Sequence, residues 1–309
     1  MGLHRLLGFT AAVPDPEGLA SFYGELGLGG SPTTGFTGSD GGGAVLVVEG
    51  EFRRLVRVEF GCAGPEDLDR ISRRLIEGGA APLFTKGAVR VIDPASGVEF
   101  VVRVAGPVTA PSPPSLVVPN APGATVRADE RAPAVFGGPR PPRRLGHLVI
   151  GTPAIGETRD LLVRGIGLKV SDEIEGIIAF LRCSTDHHNV ALVESPVPLL
   201  QHYSWECDDI DHVGHSASAL LRPDPSRHTW GLGRHFAGSN FYWYLRDPAG
   251  SYLELYSDLD QILDDEAWEQ RGRTPFDLEH VTNSWGPNLP LEFIVPPDLD
   301  QLQAAWAER

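Results

Sequence analysis

Three side chains able to hold a divalent metal stand where strands would otherwise carry apolar residues: His147 in GHLVI, His202 in QHYSWE and Glu254 in SYLELYS. On an extended chain alternate residues share a face, so Tyr252, Glu254 and Tyr256 point one way and Leu253 and Leu255 the other. A carboxylate buried between two tyrosines must be protonated, hydrogen-bonded, paired or metal-bound, because an isolated buried charge is strongly unfavourable. Two neutral imidazoles and one carboxylate leave coordination positions open and match the facial triad of non-haem Fe(II) oxygen chemistry. Mn(II) accepts the same donors and zinc also takes His and carboxylate, so the ligand set alone leaves the metal open.

The elements that must bring these residues together are written twice. GFTAAVPDPEGLASFYGELGLGG, near the start, lines up with GHLVIGTPAIGETRDLLVRGIGL at 146–168, each reading as strand, turn and helix. RLVRVEF followed by Leu68, Ile71 and Leu75 corresponds to QHYSWEC followed by Ile210, Val213, Ala217 and Leu220, a strand leading into a helix with one apolar stripe. DPASGVEFVVRV at 93–104 matches DPAGSYLELYS at 247–257, an Asp-Pro turn opening into an alternating strand.

The first copy therefore acts as an internal control on the second. His147 corresponds to Phe9, His202 to Leu55 (counting back from the shared Glu of LVRVE and HYSWE), and Glu254 to Val101, or Phe100 if the turn is aligned differently. A lone strand histidine is more often a hydrogen-bonded core residue, and a lone strand glutamate is often exposed. Three such changes at equivalent places on strands of one curved sheet point instead to one site.

Composition bounds the rest. The 309 residues, 41% of them hydrophobic, are enough for two domains, and a net charge of −15 disfavours nucleic acid and anionic membranes as partners. No stretch has the unbroken apolar length of a membrane span or a signal peptide, so the cytoplasm is expected. Cys62, Cys183 and Cys207 are too scattered for a disulfide framework or a zinc cluster. Residues 106–144, rich in Pro, Ala and Gly, read as a linker, and the tail from about 259, with Trp268, Trp285 and LPLEFIV, is expected to pack back on the second copy. The expected domains are 1–105 (no metal), 106–143 (linker), 144–262 (metal-binding) and 263–309 (tail). His212 and His215, three apart on a helix, read as a solvated face, and His228 and Arg234 remain unassigned.

With GHLVI, QHYSWE and SYLELYS in place, nearly the whole chain resembles the type I extradiol ring-cleaving dioxygenases of the vicinal oxygen chelate superfamily. The resemblance implies an α+β fold of two domains, each of paired βαβββ modules curving into a half-barrel, with metal, usually Fe(II), only in the second. It implies His147, His202 and Glu254 as ligands. In DHHNVAL it implies His188 as the acid-base histidine, although His187 adjoins it and only one of the two can face a site. In GRHFAGSNFYWYLRDPAGSYLE, His235 and Tyr244 precede Glu254 by 19 and 10 residues, spacings similar to those of the family's substrate- and oxygen-contacting residues. Gly238 stands where some relatives carry an acidic residue, which bears on substrate preference.

The activity implied is O2-dependent opening of a catechol ring, with His188 as general base and then acid and with His235 and Tyr244 donating hydrogen bonds to developing negative charge. Catechol-type substrate and O2 are the expected partners, and homo-oligomers are expected from the family. Two other readings compete: a metal-dependent isomerase or lyase of the same superfamily, and a non-catalytic module that sequesters an aromatic antibiotic. Trp205, Phe241, Trp243 and the tail around SWGPN are candidates to line or support the pocket.

Overall fold

The computed structural model describes residues 2–107, 118–132, 140–272 and 282–309, with residues 271 and 272 by backbone alone. Much of the expected linker, at 108–117 and 133–139, lies outside the described residues, as does 273–281 of the tail.

Four βαβββ modules follow one another. The first is β1 (Leu3–Val13), α1 (Pro16–Glu25), β2 (Gly29–Ser31), β3 (Gly35–Thr37) and β4 (Ala44–Glu49). The second is β5 (Arg54–Cys62), α2 (Pro65–Glu77), β6 (Leu83–Thr85), β7 (Ala88–Ile92) and β8 (Glu99–Val104). The third is β9 (Arg144–Thr152), α3 (Ile155–Asp160) running into a π turn at Leu161–Ile166, β10 (Lys169–Ile174), β11 (Ile178–Arg182) and β12 (Val190–Glu194). The fourth is β13 (Leu199–Glu206), α4 (Ile210–Leu221), β14 (His228–Arg234), β15 (Phe241–Arg246) and β16 (Tyr252–Ser257). Short helices α5 (Asp265–Ala267), α6 (Leu291–Ile294) and α7 (Leu299–Ala307) belong to the tail.

Each pair of modules makes one open eight-stranded sheet, in the orders β2-β3-β4-β1-β5-β8-β7-β6 and β10-β11-β12-β9-β13-β16-β15-β14. The two orders are the same permutation, so the repeat read from sequence holds at the level of topology as well as motif.

Local chemistry explains the elements. α2 starts with Pro65 after Gly64, whose N–H donates to the Asp67 carboxylate, and it buries Leu68, Ile71 and Leu75 along one stripe. In the two Asp-Pro turns the aspartate closes the turn on itself. Asp93 accepts from the backbone of Ala95 and Ser96, and Asp247 from that of Ala249 and Ser251.

One face of each sheet joins a shared apolar core, where Phe9 and Tyr23 of the first half meet Tyr203 of the second at ring-centroid distances of 5.5 and 5.9 Å. Alternation sends the neighbouring residues of the central strands to the opposite face.

The ladder registers correct the residue-by-residue correspondence drawn from sequence. Phe9 pairs with Val58 and Gly8 with Glu59 on β1 and β5, while Leu148 pairs with Tyr203 and His147 with Ser204 on β9 and β13. His147 is thus equivalent to Gly8, not Phe9, and His202 to Arg57, not Leu55; Glu254 does correspond to Val101, which pairs with Glu59 as Glu254 pairs with Ser204. Glu59 and Glu206 are not equivalents: Glu206 pairs with Arg144, one bulge beyond the rung that Glu59 occupies. Counting back from that apparent shared glutamate displaced the frame.

The face of the first sheet that corresponds to the metal-binding face is polar. Arg57 lies 2.5 Å from Glu99 and 4.0 Å from Glu59, Arg103 lies 3.0 Å from Glu59, and Arg90 also pairs with Glu99. Three guanidinium groups against two carboxylates repel a divalent cation. Gly8, at φ +145, could carry no ligand, since a Cβ there would lie 2.0 Å from the Ala44 carbonyl oxygen.

His212 is also not on a solvated face. It is buried, with Nε2 bonded to the Arg140 carbonyl at 3.0 Å and Nδ1 accepting the Asp208 N–H at 3.1 Å, so it ties α4 to the segment entering β9.

Candidate metal centre

The second sheet brings His147, His202 and Glu254 onto one face of three neighbouring strands, β9, β13 and β16, with one potential donor atom of each within 4.8 Å of the others. Among the described residues this is the one such cluster of His, Cys, Asp and Glu side chains. Glu254 is completely buried, and its partners account for both oxygens. Oε2 accepts from Ser204 Oγ at 2.5 Å and meets His147 Nε2 at 2.8 Å, while Oε1 accepts from Asn240 Nδ2 at 3.0 Å. His202 Nε2 lies 3.7 Å from Oε2 and His235 Nε2 3.7 Å from Oε1.

Electrostatics follow from this packing. Burial opposes ionisation of Glu254, but His147, His202 and His235 outweigh it and hold the carboxyl well below the usual range. Burial pushes His202 down to about 3 against the attraction of Glu254. Burial likewise lowers His188, helped by the neighbouring His147 and His187, and lowers His235. At neutral pH the centre therefore holds a carboxylate beside neutral His202, His188 and His235, a protonation state that suits a divalent cation.

Ring orientation at His202 is fixed by Gln201. The Gln201 amide donates to the Phe293 carbonyl at 2.9 Å, which turns its oxygen onto His202 Nδ1. The proton then sits on Nδ1, and Nε2 is left with a lone pair toward the site. Gly146 gives the Tyr256 ring room beneath His147: a Cβ there would lie 1.8 Å from the tyrosine oxygen.

Of the adjacent pair, His188 is the one beside the ligands, its ring 4.1 Å from that of His147. His187 lies behind it, fully buried and bonded to Asp172. Tyr244 pairs with Glu254 across β15 and β16, and its hydroxyl lies 2.9 Å from His235 Nε2. Burial, and then the Glu254 charge, raise the Tyr244 pKa, so its hydroxyl stays protonated. His235 Nδ1 lies 2.5 Å from the Thr282 carbonyl, which can only accept, so neutral His235 carries its proton there and Nε2 accepts from Tyr244. In this arrangement the tail carbonyl takes the single proton of the neutral imidazole.

The tail contributes more than the sequence suggested. Pro287 accepts from Trp230 Nε1, Asn283 from Tyr242, and Phe293 packs against His202, Tyr244 and Tyr252. Trp285 is 47% exposed, so within SWGPN it is the backbone that braces the site. Further along, α7 packs Leu302 and Trp306 on Phe52 as well as on Val197 and Leu199, so the tail binds both halves and not only the second.

Trp205, Phe241 and Trp243 lie off the metal face. Trp205 is in the shared core, Trp243 donates to His228, and Phe241 lies under Arg234 beside Trp285. Arg234 is held by Asp258 and the Ser239 carbonyl, and neither it nor His228 reaches the centre. Sequence reasoning passed over Ser204 and Asn240, both bonded to Glu254. Alternation held the signal: Ser204 is two residues from His202, and Asn240 shares its parity with Tyr242 and Tyr244.

No protein-family model matches the chain. Metapyrocatechase 2 of Cupriavidus necator is 33% identical over 258 residues, covering 80% of this chain and 76% of that protein. The manganese-dependent 2,3-dihydroxybiphenyl 1,2-dioxygenase of Geobacillus genomosp. 3 is 26% identical over 157 residues, 48% of this chain and 50% of that one. Among solved structures, homoprotocatechuate 2,3-dioxygenase from Brevibacterium fuscum, in complex with 3,4-dihydroxyphenylacetate, has a TM-score of 0.72 at 20% identity over 95% of this chain and 92% of that one. At that identity the likeness speaks for the fold.

Proposed function

Because the chain belongs to the type I extradiol ring-cleaving dioxygenases of the vicinal oxygen chelate superfamily, we propose that it opens the ring of a catechol-type substrate with O2 at an Fe(II) site held by His147, His202 and Glu254. The observation that carries this reading is the convergence of two buried imidazoles and an ionised, fully buried carboxylate on one sheet face, with His188, His235 and Tyr244 around them. Bound there, a divalent redox metal supplies Lewis acidity toward the substrate hydroxyls and the one-electron chemistry that O2 requires.

The remaining work falls to the chain. His188, neutral at physiological pH, holds a lone pair that takes a proton from a substrate hydroxyl and later returns it. Tyr244, kept protonated by burial, donates to His235 in the resting site and swings that hydrogen toward oxygen where negative charge develops. The tail closes one side and excludes water. In the net reaction the ring carbon–carbon bond beside the two hydroxyl-bearing carbons breaks, and both atoms of O2 enter the product.

The same reading assigns residues 1–105 and 144–262 to a metal-free and a catalytic domain, 106–143 to the linker and 263–309 to a bracing tail. The charge-paired face around Arg57 supports a first domain that holds no metal. Three unpaired buried cysteines suit a cytoplasmic protein, and no helix among the described residues is long and apolar enough to cross a membrane. Ile76 on α2 and Leu83, Phe84 and Ile92 on the first sheet are exposed, which suits a homo-oligomer.

Iron is the metal proposed, although one relative is named for manganese. The test is reconstitution: metal-free protein given Fe(II) or Mn(II) without oxygen, then assayed with catechols in air. Activity with Fe(II) well above that with Mn(II) is expected, and the reverse order would replace iron with manganese.

A further inference from the structure

Beginning with His188, a chain of three buried polar groups leads away from the centre. His187 Nε2 lies 2.8 Å from Asp172 Oδ2, and His187 Nδ1 lies 3.0 Å from His188 Nδ1. His187 is fully buried, and Asp172 and His188 are 7% and 4% exposed. Asp172 belongs to β10, opposite Phe180 on β11, and the His187 ring is packed between Phe180 and Trp268 at 5.6 and 5.4 Å. The His187 N–H donates to the Asp260 carbonyl at 2.8 Å, so both ring and backbone are pinned.

The donor and acceptor inventory permits one assignment of protons to neutral rings. An ionised carboxylate only accepts, so His187 carries its proton on Nε2, and its Nδ1 is then an acceptor. The contact between the two Nδ1 atoms needs a donor, which must be His188. A neutral His188 with its proton on Nδ1 has its lone pair on Nε2. From this geometry we infer that Asp172 and His187 are positioning residues that fix the tautomer and orientation of His188, presenting Nε2 as the proton acceptor. The inference rests on the ring-cleavage reading for its consequence, since tautomer choice matters because His188 accepts a substrate proton.

Two variants separate this role from packing. His187→Phe keeps an aromatic ring between Phe180 and Trp268 but has no acceptor for His188 Nδ1, whereas His187→Gln loses the ring and can place an amide oxygen there. With wild-type metal content confirmed for each, His187→Phe is expected to lower kcat about 100-fold with KM little changed, and His187→Gln to recover about tenfold of that loss, in line with the usual size of general-base contributions. Phe retaining as much activity as Gln would overturn the inference and leave His187 a packing residue.

A second measurement needs neither variant nor turnover. Ring 15N shifts of histidine-labelled wild-type protein loaded with diamagnetic Zn(II) should show His188 protonated on Nδ1 and His187 on Nε2. The opposite tautomer at His188 would overturn the inference. Wild-type protein that binds metal, shows these tautomers and cleaves no catechol would instead defeat the ring-cleavage reading alone.

Discussion

Glu254 is ionised with no exposed surface because three kinds of partner share its two oxygens: the Ser204 hydroxyl, the Asn240 amide and the facing imidazoles. Ser204 holds Oε2, the same oxygen that faces His147 and His202. Groups that orient a ligand typically change metal affinity 10- to 100-fold when removed. Ser204→Ala should therefore weaken metal binding by about that factor with the fold retained, measured by competition with a chelator; unchanged affinity would mean that the carboxylate is fixed without it. The histidines add a pH signature. His202, lowered to about 3, and His188 and His235, also lowered, stay neutral in the fold while their unfolded counterparts take up protons below about 6.5. The stability they contribute is complete above that pH and is lost as pH falls toward the folded values, and the depressed Glu254 acts with the same sign at lower pH. The urea midpoint of metal-free protein should thus drop between pH 7 and 5, and a flat midpoint would contradict this assignment.

At the scale of elements, identical strand orders produce one metal face and one charge-paired face. The difference lies in a few positions: His147, His202 and Glu254 against Gly8, Arg57 and Val101. A side chain at Gly8 collides with the β4 backbone, so Gly8→Ala should destabilise by about 2 kcal/mol or more, as strained positive-φ sites do, while metal bound per folded chain stays unchanged. A stable Gly8→Ala protein in thermal melts would show that β1 and β4 can separate there. The sequence made the modules legible because Asp-Pro turns, helix stripes and alternation are local signals. It misplaced Phe9 and Leu55 because bulges in β1, β5, β9 and β13 shift the register without leaving a letter of their own. It pointed to His188 over His187 through the family resemblance alone, because only the packing of Asp172 on β10 shows which ring turns away. Ser204 and Asn240 were hidden for another reason: a polar residue on or beside a strand looks the same whether it supports a ligand or faces water.

In the whole molecule, the tail ties the halves together beside the site. Arg53, at the entrance to β5, donates to Asp298 of the tail at 2.6 Å and to Leu200 O at the start of β13 at 3.0 Å. From there the chain runs back through Phe293 to the ring of His202. A buried centre with one mobile wall would admit water, whereas this bracing sets the tail carbonyls at Thr282 and Phe293 that orient His235 and Gln201. So arranged, the centre would couple O2 to ring opening. The most direct measurement records O2 uptake and the visible spectrum together when anaerobic Fe(II)-loaded protein and catechol are mixed with air, with His202→Ala in parallel. One O2 consumed per yellow ring-fission product formed, with both signals lost in the variant, is the predicted result. Stoichiometric iron with neither O2 uptake nor colour across neutral and acidic catechols would contradict it.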